Sequence, residues 1–174
     1  MKRLLTAGLA VAAALACGVG AASAQTVYLV RHAEKASDTE RDPVLSEAGV
    51  ARAEAVASLF AAGTPDLVVV SPLQRTRLTA APTIAASGAL VSVSPLDAGV
   101  DAHVETIRRG VMALPEDAVV LISGHSNTVP LIARALGYET PDMPECEYDR
   151  LIRIELRNGE ASGETLRYGA PSVC

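Results

Sequence analysis

Aromatic residues are scarce in this sequence: no tryptophan, one phenylalanine and four tyrosines among 174 residues. No aromatic-lined specificity loop stands out. Cysteine is scarce too, three in all, and neither a CxxC pair nor a Cys/His spacing suited to zinc occurs. Internal repeats and linker-like stretches are missing. So is an apolar run fit to cross a bilayer: the hydrophobic start, Leu4 to Val19, is short for a span and is broken by Gly8, Gly18 and Gly20. Positive charge is in deficit as well. Of the 15 basic residues, Lys2 and Arg3 precede Gln25, and none of the 20 acidic residues does, so the body from Gln25 on carries a formal charge of −7. Such a body excludes nucleic acid as a general partner, because a phosphate backbone needs a basic face.

What is there begins with an export pattern. Lys2 and Arg3 form a short positive start, an Ala- and Leu-rich stretch follows, and Ala22-Ser23-Ala24 has the small-x-small form of a cleavage site. Residues 1–24 are therefore read as a signal peptide and residues 25–174 as one domain, released to the periplasm or beyond with no stable membrane anchor. Lipidation at Cys17 is the alternative, but Ala14-Leu15-Ala16 matches its usual pattern poorly. The exported body keeps Cys146 and Cys174, and in an oxidising compartment the one possible pairing is a disulfide.

Strand and helix patterns alternate through those 150 residues. Val27 to Val30, Leu67 to Val70, Leu90 to Val93 and Val119 to Ile122 read as short strands. Ser46 is a helix N-cap, with Ala53, Val56, Leu59 and Phe60 on one face and Gly63-Thr64-Pro65 as the stop. Pro72 fits the first turn of a second helix, which Pro82 should end or kink. Asp101 caps a third, with Val104, Ile107, Val111 and Met112 inward. Ser126-Asn127-Thr128 opens a fourth, carrying Val129, Ile132, Ala133 and Leu136 and stopped at Gly137. The tail reads as a hairpin turning at Asn158-Gly159, one strand of which can join the sheet. The expected class is α/β: a three-layer α/β/α sandwich whose mostly parallel sheet is covered on both faces.

Three of the strands deliver chemistry at their carboxyl ends, the rim where open α/β sheets bind ligands. The first runs into Arg31-His32, the second into Ser71-Pro72-Leu73-Gln74-Arg75, the fourth into Ser123-Gly124-His125. One such placement is an ordinary loop; three on one rim are not independent. Phosphoryl transfer to a side chain needs a neutral nucleophile and positive donors around the non-bridging oxygens. His32 supplies the first, its imidazolium form disfavoured by Arg31 and Arg75. The two guanidiniums offer forked donors, and His125 adds another.

These residues resemble a known family. Leu29-Val30-Arg31-His32-Ala33-Glu34 is similar to the Arg-His-Gly-Glu signature of the histidine phosphatase superfamily, which includes the phosphoglycerate mutases, with Ala33 in place of glycine. Ser71-Pro72-Leu73-Gln74-Arg75-Thr76 and Gly124-His125-Ser126-Asn127 resemble its second and third motifs, in order and spacing. The resemblance implies a phosphoglycerate mutase-like fold and a phosphatase acting on phosphomonoesters or phosphohistidine. It also implies phosphorylation of His32, a phosphoryl group held by Arg31, Arg75 and His125, hydrolysis by water, and no metal or other cofactor. The substrate would be a small phosphorylated compound or a phosphorylated envelope component.

The chain also departs from the family. Many members carry an acidic proton donor after the third strand; here Asp97 is the nearest candidate, and without a firm acid, substrates with good leaving groups are favoured. Glu34 is expected to orient its neighbours, and Lys35 to steer anions or face solvent. Glu147-Tyr148-Asp149-Arg150 reads as structural or rim-lining. The main alternative is a non-catalytic phosphate or phospholigand binder of the same fold, against which an intact His32 argues. A cytoplasmic-type mutase conflicts with the export pattern.

Overall fold

A computed structural model describes residues 24–174. The expected signal segment therefore lies outside the described residues, except for Ala24. Among the described residues six strands form one sheet in the order β3-β2-β4-β1-β5-β6. They are β1 (Gln25–Arg31), β2 (Leu67–Val70), β3 (Leu90–Val93), β4 (Val119–Gly124), β5 (Arg150–Arg157) and β6 (Glu160–Arg167). β1, β2, β3 and β4 pair in parallel, and β5 runs antiparallel to both β1 and β6. The sheet is thus mostly parallel, with β5 the reversed strand.

Four helices among the described residues cover it: α1 (Glu47–Ala57), α2 (Gln74–Ser87), α3 (Val100–Met112) and α4 (Val129–Ala135). Alternate residues of each central strand serve opposite faces. Val27 and Leu29 of β1 pack with Ile107 and Val111 of α3 and Ile132 and Ala133 of α4. Val30 packs with Val56 of α1 and Ala80 of α2. Each fully buried Val, Leu or Ile contributes roughly 1.5–3 kcal/mol by leaving water. The centre of the sheet is therefore what holds the three layers together.

Local signals explain most boundaries. Ser46 caps α1, its hydroxyl accepting from the Gly49 N–H at 3.1 Å. Asn158 and Gly159 both take positive φ, 53° and 82°, and turn the β5–β6 hairpin. Both hairpin strands join the sheet, where one was expected as a possibility.

Several expectations need correction. α2 runs through Pro82 to Ser87; the carbonyl that Pro82 leaves unserved belongs to Leu78, a residue on the exposed side of the helix. Pro72 lies before the cap residue Leu73, outside the first turn. Asp101 sits in the first turn of α3 and favours its dipole, while Gly99 is the cap residue at φ 91°. Thr128 is the N-cap of α4, so Ser126 and Asn127 stay in the preceding turn. Leu59 is 39% exposed because α1 has already ended at Ala57, and Met112, at the last turn of α3, is 48% exposed. The covering of both sheet faces also stops short of the edge. All four β3 residues are exposed.

Cys146 and Cys174 form a disulfide across 28 residues of sequence. Closing a loop of that length stabilises the fold by about 3–4 kcal/mol in the chain-entropy account. It ties the chain end to the loop before β5.

Candidate active site

Strand register brings the rim residues together. In the β1–β4 pairing Arg31 stands opposite Gly124, so His32 and His125 leave the sheet side by side. The His32 N–H donates to the Gly124 carbonyl at 2.9 Å. The two imidazoles meet edge to face with centroids 5.4 Å apart. In the β2–β4 pairing Val70 stands opposite Ser123. Ser71 is therefore level with Gly124, and its hydroxyl lies 2.9 Å from His125 Nε2. The connection after β1 leads to α1 on one face, and that after β4 leads to α4 on the other, so a crevice opens between these neighbouring strands.

Gly124 is required for closeness. A Cβ there would stand 2.9 Å from Val129 Cγ2 and 3.1 Å from Thr128 Oγ1. That gap lets the turn fold back so that the His125 N–H donates to Thr128 Oγ1 at 3.0 Å.

Both histidines are buried, 3% and 7% exposed. His32 Nδ1 lies 2.8 Å from the Ala33 carbonyl. Only a protonated Nδ1 can make that bond, which leaves Nε2 with a free lone pair. Burial pushes the His32 pKa down to about 3 against the pull of that carbonyl, with Arg31, Arg75 and Lys35 adding to the depression. His125 is also pushed down to about 3, by burial first and then by His32 and Arg75. Both rings therefore stay neutral from pH 8 to pH 5. The expected kcat/KM profile, corrected for the substrate's own ionisation, shows no acid limb near the ordinary histidine value of about 6.5. It falls only as pH approaches 3. An enzyme-derived limb between pH 6 and 7 would contradict this assignment.

Arg31 is 1% exposed yet points at the rim. Its Nη1 donates to the carbonyls of Pro144, Glu145 and Glu147, its Nη2 donates to Glu145 Oε2 at 2.7 Å, and its guanidinium lies 4.1 Å from the Tyr148 ring centroid. Arg75, in the first turn of α2, approaches Asp42 at 3.7 Å. Asp42 also accepts from the Gln74 N–H at 3.0 Å, serving as the cap that α2 otherwise lacks. The Nε atoms of Arg31 and Arg75 are both buried without an acceptor among the described residues. A buried cationic donor left unpaired is costly, and a tetrahedral anion would satisfy both.

The remaining expectations sort by contact. Glu34 is held by Arg52 through two hydrogen bonds to Oε1, at 2.7 and 2.9 Å. Arg52 in turn donates to the carbonyls of Tyr168 and Ala170, so Glu34 braces the chain end. Lys35 pairs with Asp38 at 2.8 Å. Asp97 is exposed and makes no side-chain hydrogen bond or ion pair among the described residues. Glu147 and Arg150 form a buried pair at 2.5 Å, and Arg150 also donates to the carbonyls of Pro141 and Asp142, which fixes the loop that carries Tyr148. Three contributors were not singled out from the sequence. Ser71 meets His125, Glu145 meets Arg31, and Thr79 accepts from the Ala33 N–H at 2.8 Å. Ser71 lies inside the second family motif; Glu145 carries no sequence signal.

The family model described as histidine phosphatase superfamily (branch 1) matches residues 27–98, which include Arg31, His32 and Arg75. His125 lies beyond that stretch and is placed beside His32 by the β1–β4 register. A structure assigned as phosphohistidine phosphatase SixA from Nakamurella multipartitia is similar at 25% identity and a TM-score of 0.58, covering 86% of this chain and 98% of its own. Another so assigned, from Agrobacterium tumefaciens, shares 28% identity at a TM-score of 0.52, with 84% and 97% covered. A mycobacterial glucosyl-3-phosphoglycerate phosphatase shares the fold at 17% identity and a TM-score of 0.62, with 83% and 99% covered. No curated protein sequence matches significantly. The chain is similar to the histidine phosphatase superfamily over residues 27–98 and has the phosphoglycerate mutase-like fold of these structures. These likenesses support a phosphatase, a hydrolase, in the broad sense.

Proposed function

We propose that this protein hydrolyses phosphomonoesters, or phosphohistidine, through a phosphoryl group carried on His32 Nε2. The observation that carries this reading is the pair of buried, unpaired guanidinium Nε donors of Arg31 and Arg75 beside a neutral imidazole with a free lone pair. In the first step Nε2 attacks phosphorus and the bond to the leaving oxygen or nitrogen breaks. Arg31, Arg75 and His125 hold the three non-bridging oxygens, over which the charge spreads. In the second step water attacks phosphorus, the phosphorus–nitrogen bond breaks, and phosphate leaves with Nε2 restored. These side chains supply the positive charge, so the reading routes no step through a metal.

Protonation of the leaving group is the weak point of the constellation. Both histidines are neutral at working pH. Glu145 is held below the usual carboxylate range, by the Ser126 hydroxyl first and by Arg31 as well, so it is ionised. Substrates whose leaving group departs without a proton are favoured: aryl phosphates, acidic phosphates and phosphohistidine. The likeness to the SixA proteins supports the last of these. A screen over aryl phosphates, alkyl phosphates and phosphohistidine tests the reading, with the protein treated with a chelator beforehand. Aryl phosphates and phosphohistidine are expected to outpace alkyl phosphates by at least tenfold, with no loss after chelation. Activity that appears only when a metal is restored would overturn it.

Export after cleavage at Ala24 is part of the same proposal, with a phosphorylated envelope component as one substrate class. The disulfide supports it, since such bonds persist in oxidising compartments. N-terminal sequencing of the exported protein should read from Gln25. A form starting at Cys17, or keeping Met1, would refute it.

A further inference from the structure

We infer that Glu145 is a specificity-determining residue, selecting phosphate compounds whose organic part carries a positive charge close to the phosphorus. The inference rests on the reading of Arg31 as a phosphate ligand and adds a substrate class to it.

Glu145 is the exposed partner of the buried Arg31, with its side chain 82% accessible. Its backbone is nevertheless fixed. Its carbonyl accepts from Arg31 Nη1, and its neighbour Cys146 is tied to Cys174. The carboxylate thus works from a rigid base, with Ser126 Oγ on Oε1 and Arg31 Nη2 on Oε2. It also stands between two clefts and lines both. One, of about 580 Å³, includes Lys35, Asp38 and Tyr148; the other, of about 350 Å³, includes Asn127, Arg134 and Asp142.

The other carboxylates of those clefts are committed elsewhere. Glu34 pairs with Arg52, Asp38 with Lys35, and Asp142 with Arg134. Glu145 differs, because its partner is the cation that an entering phosphoryl group claims. When phosphate binds the free Nε of Arg31, the carboxylate on Nη2 shares its counter-charge with a second anion on the same guanidinium. Like charges that close disfavour binding. A cation on the substrate reverses the sign, since it meets a carboxylate whose counter-charge the phosphate now shares. Simple anionic esters are thereby penalised and zwitterionic ones preferred.

The test uses ligands that are not turned over, so that leaving-group chemistry plays no part. Calorimetry compares 2-aminoethylphosphonate with the near-isosteric propylphosphonate, on wild type and Glu145→Gln. Wild type is expected to bind the ammonium compound about fivefold more tightly, the scale of a solvent-exposed ion pair. The preference should shrink as salt rises. In Glu145→Gln it should vanish, with propylphosphonate and inorganic phosphate binding several-fold more tightly than before. Equal affinities in wild type, or a uniform change for both ligands in the variant, would overturn the inference and leave Glu145 as no more than a competitor for Arg31. Failure of the underlying reading looks different: neither phosphonate nor phosphate binds at all. Asp38→Asn, in the same cleft but paired with Lys35, should leave the discrimination unchanged.

Discussion

Replacing His32 by alanine is expected to lower turnover of an aryl phosphate by on the order of 10⁴–10⁶, the scale seen when a covalent nucleophile is removed. Nothing else near the rim is placed to take over. His125, the adjacent imidazole, has its Nε2 against Ser71 Oγ. Phosphate binding should survive, because Arg31 is fixed by the loop after α4 and Arg75 by α2, neither of which depends on the His32 ring. The fold should survive as well: the ring makes a single hydrogen bond, to the Ala33 carbonyl, worth about 1 kcal/mol. Two measurements together check the assignment. Wild type quenched during turnover should carry acid-labile, alkali-stable phosphate on His32, and the alanine variant should carry none. Wild-type activity in His32→Ala, free of contaminating phosphatase, would remove His32 from the role of nucleophile.

The rim was legible because parallel strands are written as uninterrupted aliphatic runs, and the residue after each run must lie at the same end of the sheet. Val27 to Val30 and Val119 to Ile122 therefore placed His32 and His125 at one end before any pairing was known. That they are immediate neighbours was not legible, since the order β2-β4-β1 depends on crossovers the sequence does not spell out. Pairwise contacts across long separations were hidden for the same reason. Glu145 meets Arg31 across 114 residues, and Ser71 meets His125 across 54. Such contacts leave no periodic trace. Helix ends failed where a local rule met a tertiary exception. Pro82 should break a helix, yet α2 continues to Ser87, with the carbonyl that loses its partner on Leu78, an exposed residue. Asp101 has the chemistry of a cap, but Gly99 takes that place with a backbone angle available to it without strain. The exposed β3 shows the limit of composition: Leu90 to Val93 reads as a strand of a sheet covered on both faces and is an exposed edge.

Arg75→Ala is expected to cost on the order of 10²–10³ in kcat/KM, as for other preorganised donors, and to weaken binding of inorganic phosphate at the same time. The two effects should differ in size. In the ground state phosphate retains Arg31, whereas in the transition state charge spreads over all three equatorial oxygens and each donor counts for more. Loss of kcat should therefore exceed the rise in KM. The effect is local to the site. Asp42 keeps its link to α2 through the Gln74 N–H, so the helix start stays in place without the Arg75 side chain. Arg75→Lys separates charge from shape. It keeps the cation but loses the fork, and it should recover only part of the rate. A thermal melt within a few degrees of wild type, read beside the kinetics, keeps a folding defect apart from a site defect. If Arg75→Ala stays within tenfold of wild type in kcat/KM, the guanidinium does not hold the reacting phosphoryl group, and its unpaired Nε belongs to some other ligand.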